Sequence, residues 1–238
     1  RITAFKNTYY VNDHNENAIT NSSGNPLKHQ SSYWPSAFSR DVWKYDVELA
    51  KEAVELIGFN EIQFDYVRFP DGLGTMEKAK TVNYHNTYNE TKAEAIQRFL
   101  MYATNELHKL NVYVSVDVFG ESSWGYVTAY GQYWPAMSNI VDVISAMPYT
   151  DHFGKNYAGH SEPWLYPYDT ISFWAKTAKK EQDMTANPAI ARTWITAYNT
   201  PVAAKGTALS YNGTEVSAQI KALYDNGLDG GYMTWNAY

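Results

Sequence analysis

Cysteine is absent from this 238-residue chain, which excludes disulfides, thiolate metal sites and a cysteine nucleophile. Clusters of lysine and arginine are missing too. With a net charge of −6 and no phosphate footprint, a nucleic-acid partner is not expected. No run approaches the roughly 18–20 apolar residues of a membrane span. The G-x-S-x-G elbow of serine hydrolases, the phosphate loop and the glycine fingerprint of dinucleotide binding do not occur. Hydrophobic residues still make up 45% of the chain, ample for a core. Its length suits one α/β barrel domain, read here as residues 1–238. The Cys-free composition, rich in Asn, Tyr and Thr, leans toward an extracellular or cell-envelope bacterial protein. The chain opens on Arg1 and not on Met, so an N-terminal part is expected to be absent.

Aromatic residues are abundant, at 16% with 21 Tyr and 8 Trp. Sugar rings present C–H faces that stack on such side chains, so the excess suits a carbohydrate site. Composition alone favours the plainer explanation, a Tyr-rich surface and core.

Strand-like and helix-like segments alternate along the chain, the pattern of a parallel sheet with crossover helices. Strands are expected over residues 1–6, 61–67, 112–118, 141–147, 192–198 and 230–235. Helices are expected over 41–56, 91–110, 170–181 and 214–226, with a short one over 130–137. In the first helix Val42, Tyr45, Leu49, Ala53 and Leu56 form the apolar stripe, and Gly58 is placed as its C-cap. In the second, Ala95, Phe99, Tyr102, Leu107 and Leu110 face inward. Residues 7–39 read as a long polar loop and 148–168 as a long aromatic one. A closed (β/α)8 barrel has eight strands, so the expectation is a barrel of this type lacking about two N-terminal βα units. An open, doubly wound six-stranded sheet is the alternative.

The most informative stretch is Glu61-Ile62-Gln63-Phe64-Asp65-Tyr66-Val67-Arg68-Phe69-Pro70-Asp71-Gly72. It reads as an alternating strand running into a turn, with Gln63 and Asp65 on one face and Ile62, Phe64 and Tyr66 on the other. A carboxylate near the end of a buried strand is costly unless something pairs with it or uses it. Arg68 is the expected cationic partner of Asp65, and a buried Asp–Arg brace of the rim is the plain alternative to catalysis.

Barrel enzymes mount reacting groups where strands leave the C-terminal face. There the strands deliver Lys6 and Asn7, then Asp65 and Arg68, then Asp117 with Glu121 just beyond. The next deliver Tyr149, Asp151 and His152, then Tyr198 and Asn199, and finally Trp235 and Asn236. Glycoside hydrolysis needs two carboxyl groups flanking the scissile bond. Asp65 with Asp117 or Glu121 on the neighbouring strand would supply them, although Asp117 and Glu121 also suit helix capping or loop ordering. Adjacent strands lie about 4.8 Å apart, which makes the retaining separation of roughly 5 Å feasible. Neighbouring His152 and Asp151 lack the spacing of a metal-ligand set, so no metal and no cofactor are expected. Of Trp124, Trp134, Trp164 and Trp235, the last is favoured for sugar stacking because it ends a strand. The other three are assigned to packing.

At Phe64-Asp65-Tyr66-Val67-Arg68-Phe69-Pro70 the chain resembles a bacterial family of glycoside-hydrolase domains with an α-amylase-like barrel, often described only as a domain of unknown function. The resemblance takes in Arg1-Ile2-Thr3-Ala4-Phe5-Lys6-Asn7, Asp41-Val42-Trp43 and Val116-Asp117-Val118-Phe119-Gly120. It continues at Ala146-Met147-Pro148-Tyr149 and Gly230-Gly231-Tyr232-Met233-Thr234-Trp235-Asn236, and so spans essentially the whole chain. It implies Asp65 as the catalytic carboxylate and a polysaccharide or cell-wall glycan as substrate, and it leaves the second carboxylate open.

The leading expectation is therefore a monomeric O-glycosyl hydrolase with Asp65 as nucleophile, Arg68 keeping it ionised and Glu121 or Asp117 as proton donor. Tyr149, Tyr198 and Trp235 line the sugar subsites, with Lys6, Arg68, Asp151, His152 and Asn236 as further substrate contacts. The rival is a non-catalytic carbohydrate-binding barrel of an envelope protein. A second carboxylate within roughly 10 Å of Asp65 separates the two.

Overall fold

The computed structural model describes residues 1–236. Each expected strand forms. β1 (Ile2–Thr3), β2 (Glu61–Asp65), β3 (Tyr113–Phe119), β4 (Val143–Met147) and β5 (Ile190–Ala191) make one sheet in chain order, every pairing parallel. β6 (Thr193–Thr196) resumes after Arg192 and pairs in parallel with β7 (Tyr232–Trp235). The strand expected over 192–198 thus changes partner at Arg192, whose N–H still donates to the Ile144 carbonyl at 3.0 Å.

Parallel neighbours require long crossovers. These are supplied by α2 (Arg40–Ile57), α3 (Lys92–His108), α4 (Trp134–Ser138), α5 (Pro167–Met184) and α6 (Gly213–Asp225). The strand side chains divide by parity. Ile62, Phe64, Val114, Val116, Val118, Ile144 and Ala146 are buried in the apolar core that the helices cover. The alternate residues face a polar interior, where side chains of non-neighbouring strands meet. Gln63 donates to Ser145 Oγ at 3.4 Å and reaches Met233 Sδ at 3.8 Å, and Glu61 forms an ion pair with Arg192. A flat doubly wound sheet cannot bring these side chains together. Curling into a barrel does.

Three local expectations are corrected. Residues 7–39 are not all loop. Asn7 accepts from Tyr10 N–H and caps α1 (Thr8–Asp13), and short antiparallel pairings follow at Lys28–His29 with Ser32–Tyr33 and at Thr20–Asn21 with Val82–Asn83. Buried Ile19 and Trp34 anchor this segment, a signal diluted by its Asn and Ser content. Residues 148–168 likewise hold short 3-10 turns at Thr150–His152, Tyr157–Gly159 and Pro163–Leu165.

The third correction concerns α2. Its N-cap Ser39 and its left-handed C-cap Gly58, with φ of 85°, delimit it much as the sequence indicates. The buried stripe, however, is Val42, Trp43, Asp46, Val47 and Ala50, while Tyr45, Leu49 and Leu56 are exposed. Burying Trp43 and Val47 carries Asp46 inward with them. Neither Asp46 carboxyl oxygen has a hydrogen-bond partner among the described residues, and burial pushes its pKa well above the usual carboxylate range. An acid whose folded pKa is raised contributes stability at low pH that is lost as pH rises. Asp46→Asn is therefore expected to raise stability by about 1–3 kcal/mol near pH 8 and to be almost neutral near pH 4, read from thermal melts at the two pH values.

Candidate active site

The register places Asp65 opposite Thr3 on one side. On the other side Gln63 faces Ser115 and Phe64 faces Val116, so the next pair in step is Asp65 and Asp117. The two carboxylates stand level on neighbouring strands, both aimed into the interior and both buried. One guanidinium serves them: Arg1 Nη2 lies 3.0 Å from Asp65 Oδ2, and Arg1 Nε lies 3.9 Å from Asp117 Oδ2. Asp65 Oδ1 also accepts the N–H of Tyr66 at 2.7 Å. Tyr66 has a φ of 53°, a left-handed backbone that a bulky residue adopts only when its surroundings hold it there. That turn ends the strand directly after the carboxylate.

Asp117 has different surroundings. Its Oδ1 accepts from Trp194 Nε1 at 2.7 Å, and its Oδ2 has no hydrogen bond among the described residues. Burial and then the charge of Asp65 push the Asp117 pKa up to about 7, against the lowering effects of Trp194 and Arg1. Asp117 thus keeps its proton to a higher pH than an ordinary carboxyl group, and it sits beside Asp65, which is paired with Arg1.

Around the pair is a hollow of about 230 Å³, lined also by Arg68, Phe119, Tyr149, His152 and Trp235. Tyr149 is buried, and burial followed by the Asp117 charge raises its hydroxyl pKa beyond the usual range. His152 packs edge-on against it at 5.2 Å, and burial lowers the imidazole pKa. Trp194 and Trp235 meet edge-on at 6.1 Å, and the Arg1 guanidinium lies 5.6 and 5.2 Å from their ring centres.

Arg68 does not pair with Asp65. It donates to Asp71 Oδ1 at 2.9 Å and to the Phe69 carbonyl at 3.1 Å, with its guanidinium among Trp34, Tyr66 and Phe119. The left-handed turn at Tyr66 sends the chain away from the strand direction, and Asp71 comes back within reach. Glu121, on the turn Gly120–Ser123, lines an adjoining hollow, where its oxygens accept from the Tyr126 and Tyr130 hydroxyls at 2.6 and 2.8 Å. Asp151 is buried under the 202–203 backbone, accepting from Tyr198 Oη at 2.6 Å and from Val202 and Ala203 N–H at 2.6 and 2.9 Å. Asp151 and Tyr198 thus brace the loop after β6. Lys6 lies 4.7 Å from the Tyr66 ring centre, and Asn236 follows Trp235 at the exit of β7.

Sequence reasoning missed Arg1 and Trp194. Trp194 falls two residues from Arg192 on an alternating strand, a spacing that puts it on the inward face. Arg1 precedes β1, and only its long side chain brings the charge up to the acids. Among the described residues no group of three or more His, Asp or Glu side chains is placed to hold a metal ion, and no helix is long and apolar enough to cross a membrane.

Solved structures with a similar fold include the PgaB (BpsB) glycoside hydrolase domain of Bordetella bronchiseptica, at 14% identity over 87% of this chain and 60% of that one, with a TM-score of 0.55. The Ostrinia furnacalis group IV chitinase in complex with allosamidin aligns at 13% identity over 84% of this chain and 67% of that one, with a TM-score of 0.52. A hypothetical protein from Ruminiclostridium thermocellum ATCC 27405 is 34% identical over 50% of this chain, with a TM-score of 0.42, and the chain spans 56% of its length. No curated protein matches the sequence. The first two likenesses concern the fold, a barrel of the (β/α)8 type. The profile of one family, described as "Putative glycosyl hydrolase domain", matches residues 1–238, and the chain belongs to that family.

Proposed function

We propose that the chain hydrolyses O-glycosidic bonds of a polysaccharide or cell-wall glycan, with Asp65 and Asp117 as the working pair. One observation carries this reading: two buried carboxylates, level on neighbouring strands, share the Arg1 guanidinium but differ in their other partners. Unequal environments around two acids are what divides the roles of attacking group and proton donor. In the proposed sequence Asp117 gives its proton to the glycosidic oxygen as the bond to the anomeric carbon breaks. An Asp65 oxygen bonds to that carbon. Water, losing a proton back to Asp117, then displaces Asp65. The strand spacing of about 4.8 Å is close to the separation of roughly 5 Å that retaining hydrolysis uses. Glu121 is left out of this pair because it lies in the adjoining hollow, held by two phenols.

The test is a panel of bacterial and plant polysaccharides incubated with the wild type and with the Asp65→Asn/Asp117→Asn double variant, reading new reducing ends. Release by the wild type alone is the expected result. Glycan bound by the wild type without any release would overturn the reading in favour of a binding barrel.

A further inference from the structure

Phe119, Met147 and His152 line the hollow that holds the acid pair and also line a second one next to it. The two spaces share a wall and have comparable volumes, about 230 and 210 Å³. The far wall of the second is unlike a packed core. Trp124 leaves 44% of its surface exposed, whereas Trp134 and Trp164 are almost fully buried. Packing, the role assigned to all three from sequence, therefore fits Trp134 and Trp164 but not Trp124. Phe153, on another side, is fixed by stacking on Tyr157 at 4.0 Å with an interplanar angle of 12°. Gly120 lets its chain segment pass close to Pro148, since a Cβ there would stand 3.1 Å from Pro148 Cα. Glu121 is aimed by its two phenol donors, and its two carboxyl oxygens keep lone pairs for a further donor.

Given the hydrolase reading above, we infer that this second hollow is a sugar subsite continuous with the acid pair, with Trp124 as its stacking platform and Glu121 as acceptor of a sugar hydroxyl. The ligand is thus an oligosaccharide that passes over Met147 and His152 with one ring at Asp65 and Asp117 and another against Trp124. An exposed indole beside a fixed aromatic and an oriented carboxylate matches the amphipathic surface of a pyranose, with its apolar C–H face and polar rim. Glu121 then contributes to affinity for longer chains and not to proton donation.

The test uses the full chain carrying Asp65→Asn, so that ligands are not consumed. Calorimetry measures affinities for cello-, xylo- and N-acetylchito-oligosaccharides from disaccharide to hexasaccharide, with and without Trp124→Ala. In a series that binds, affinity should rise with length, and Trp124→Ala should weaken the hexasaccharide about tenfold while moving the disaccharide less than about twofold. Trp124→Phe should restore most of the loss, and Glu121→Gln should follow Trp124→Ala in its length dependence. Equal affinities along every series, an equal loss at all lengths, or no binding in any series overturns the inference. The two readings fail separately. Turnover retained by Asp65→Asn removes the proposed reaction and leaves the length dependence standing, whereas a flat length profile removes the subsite and leaves the reaction standing.

Discussion

Asp65→Asn is expected to lower glycan turnover on the order of 10³-fold or more while the protein stays folded. The amide has nearly the shape of the carboxylate, and its oxygen can still accept the Tyr66 N–H that Asp65 Oδ1 accepts at 2.7 Å. What disappears is the negative charge facing Arg1 and the oxygen able to bond to an anomeric carbon. The lost ion pair costs a moderate amount of stability: Asp65 is only 6% exposed, but Arg1, the partner left behind, is 34% exposed and can be rehydrated, so about 1–2 kcal/mol is expected, between a surface pair and a fully buried one. The thermal midpoint should therefore fall by no more than about 8 °C for a domain of this size. Reducing-end assays and circular-dichroism melts on the same preparation separate the two effects. If Asp65 only braces the rim, the pattern reverses: the melt drops and the surviving folded protein turns over glycan normally. That outcome would end the catalytic assignment.

The second large effect concerns Asp117 and pH. A proton donor works only while it holds its proton, and burial with the neighbouring Asp65 charge puts the Asp117 pKa at about 7. Turnover should therefore fall as pH rises through about 7, approaching a tenfold loss for each further pH unit. Asp117→Asn removes the donor. Hydrolysis of an unactivated glycan should drop about 10²- to 10⁴-fold, and the alkaline limb of the profile should vanish with it. An aryl glycoside with an acidic phenol as leaving group needs little protonation, so it should lose much less. A variant that keeps the limb near pH 7 would show that another group titrates there, and would move the donor role to Glu121 or elsewhere.

Local periodicity carried much of this fold. β2 and β3 are short alternating runs bounded by polar turns, and α3 buries Ala95, Phe99 and Leu107 as its spacing indicates. Asp65 and Asp117 could be placed on one rim because a strand repeats every second residue, so parity alone fixes the face. Where the local signal was weak or conflicting, it misled. Along α2 the apolar stripe through Tyr45 and Leu49 competed with one through Trp43 and Val47, and helical spacing allowed both. The core selected the second, because burying Trp43 and Val47 outweighs the penalty of burying Asp46.

The acid pair shows the same division. Strand, carboxylate and rim followed from the order of residues, because each depends on neighbours only a few positions away. The partners of those carboxylates did not. Arg68 sits three residues from Asp65, yet the left-handed turn at Tyr66 gives it to Asp71. The cation for Asp65 comes from the first residue of the chain, and the donor to Asp117 from Trp194, on a strand 77 positions later. Electrostatic pairing depends on distance in space, and in a curled sheet that distance is set by register and strand order, neither of which is written in any one segment.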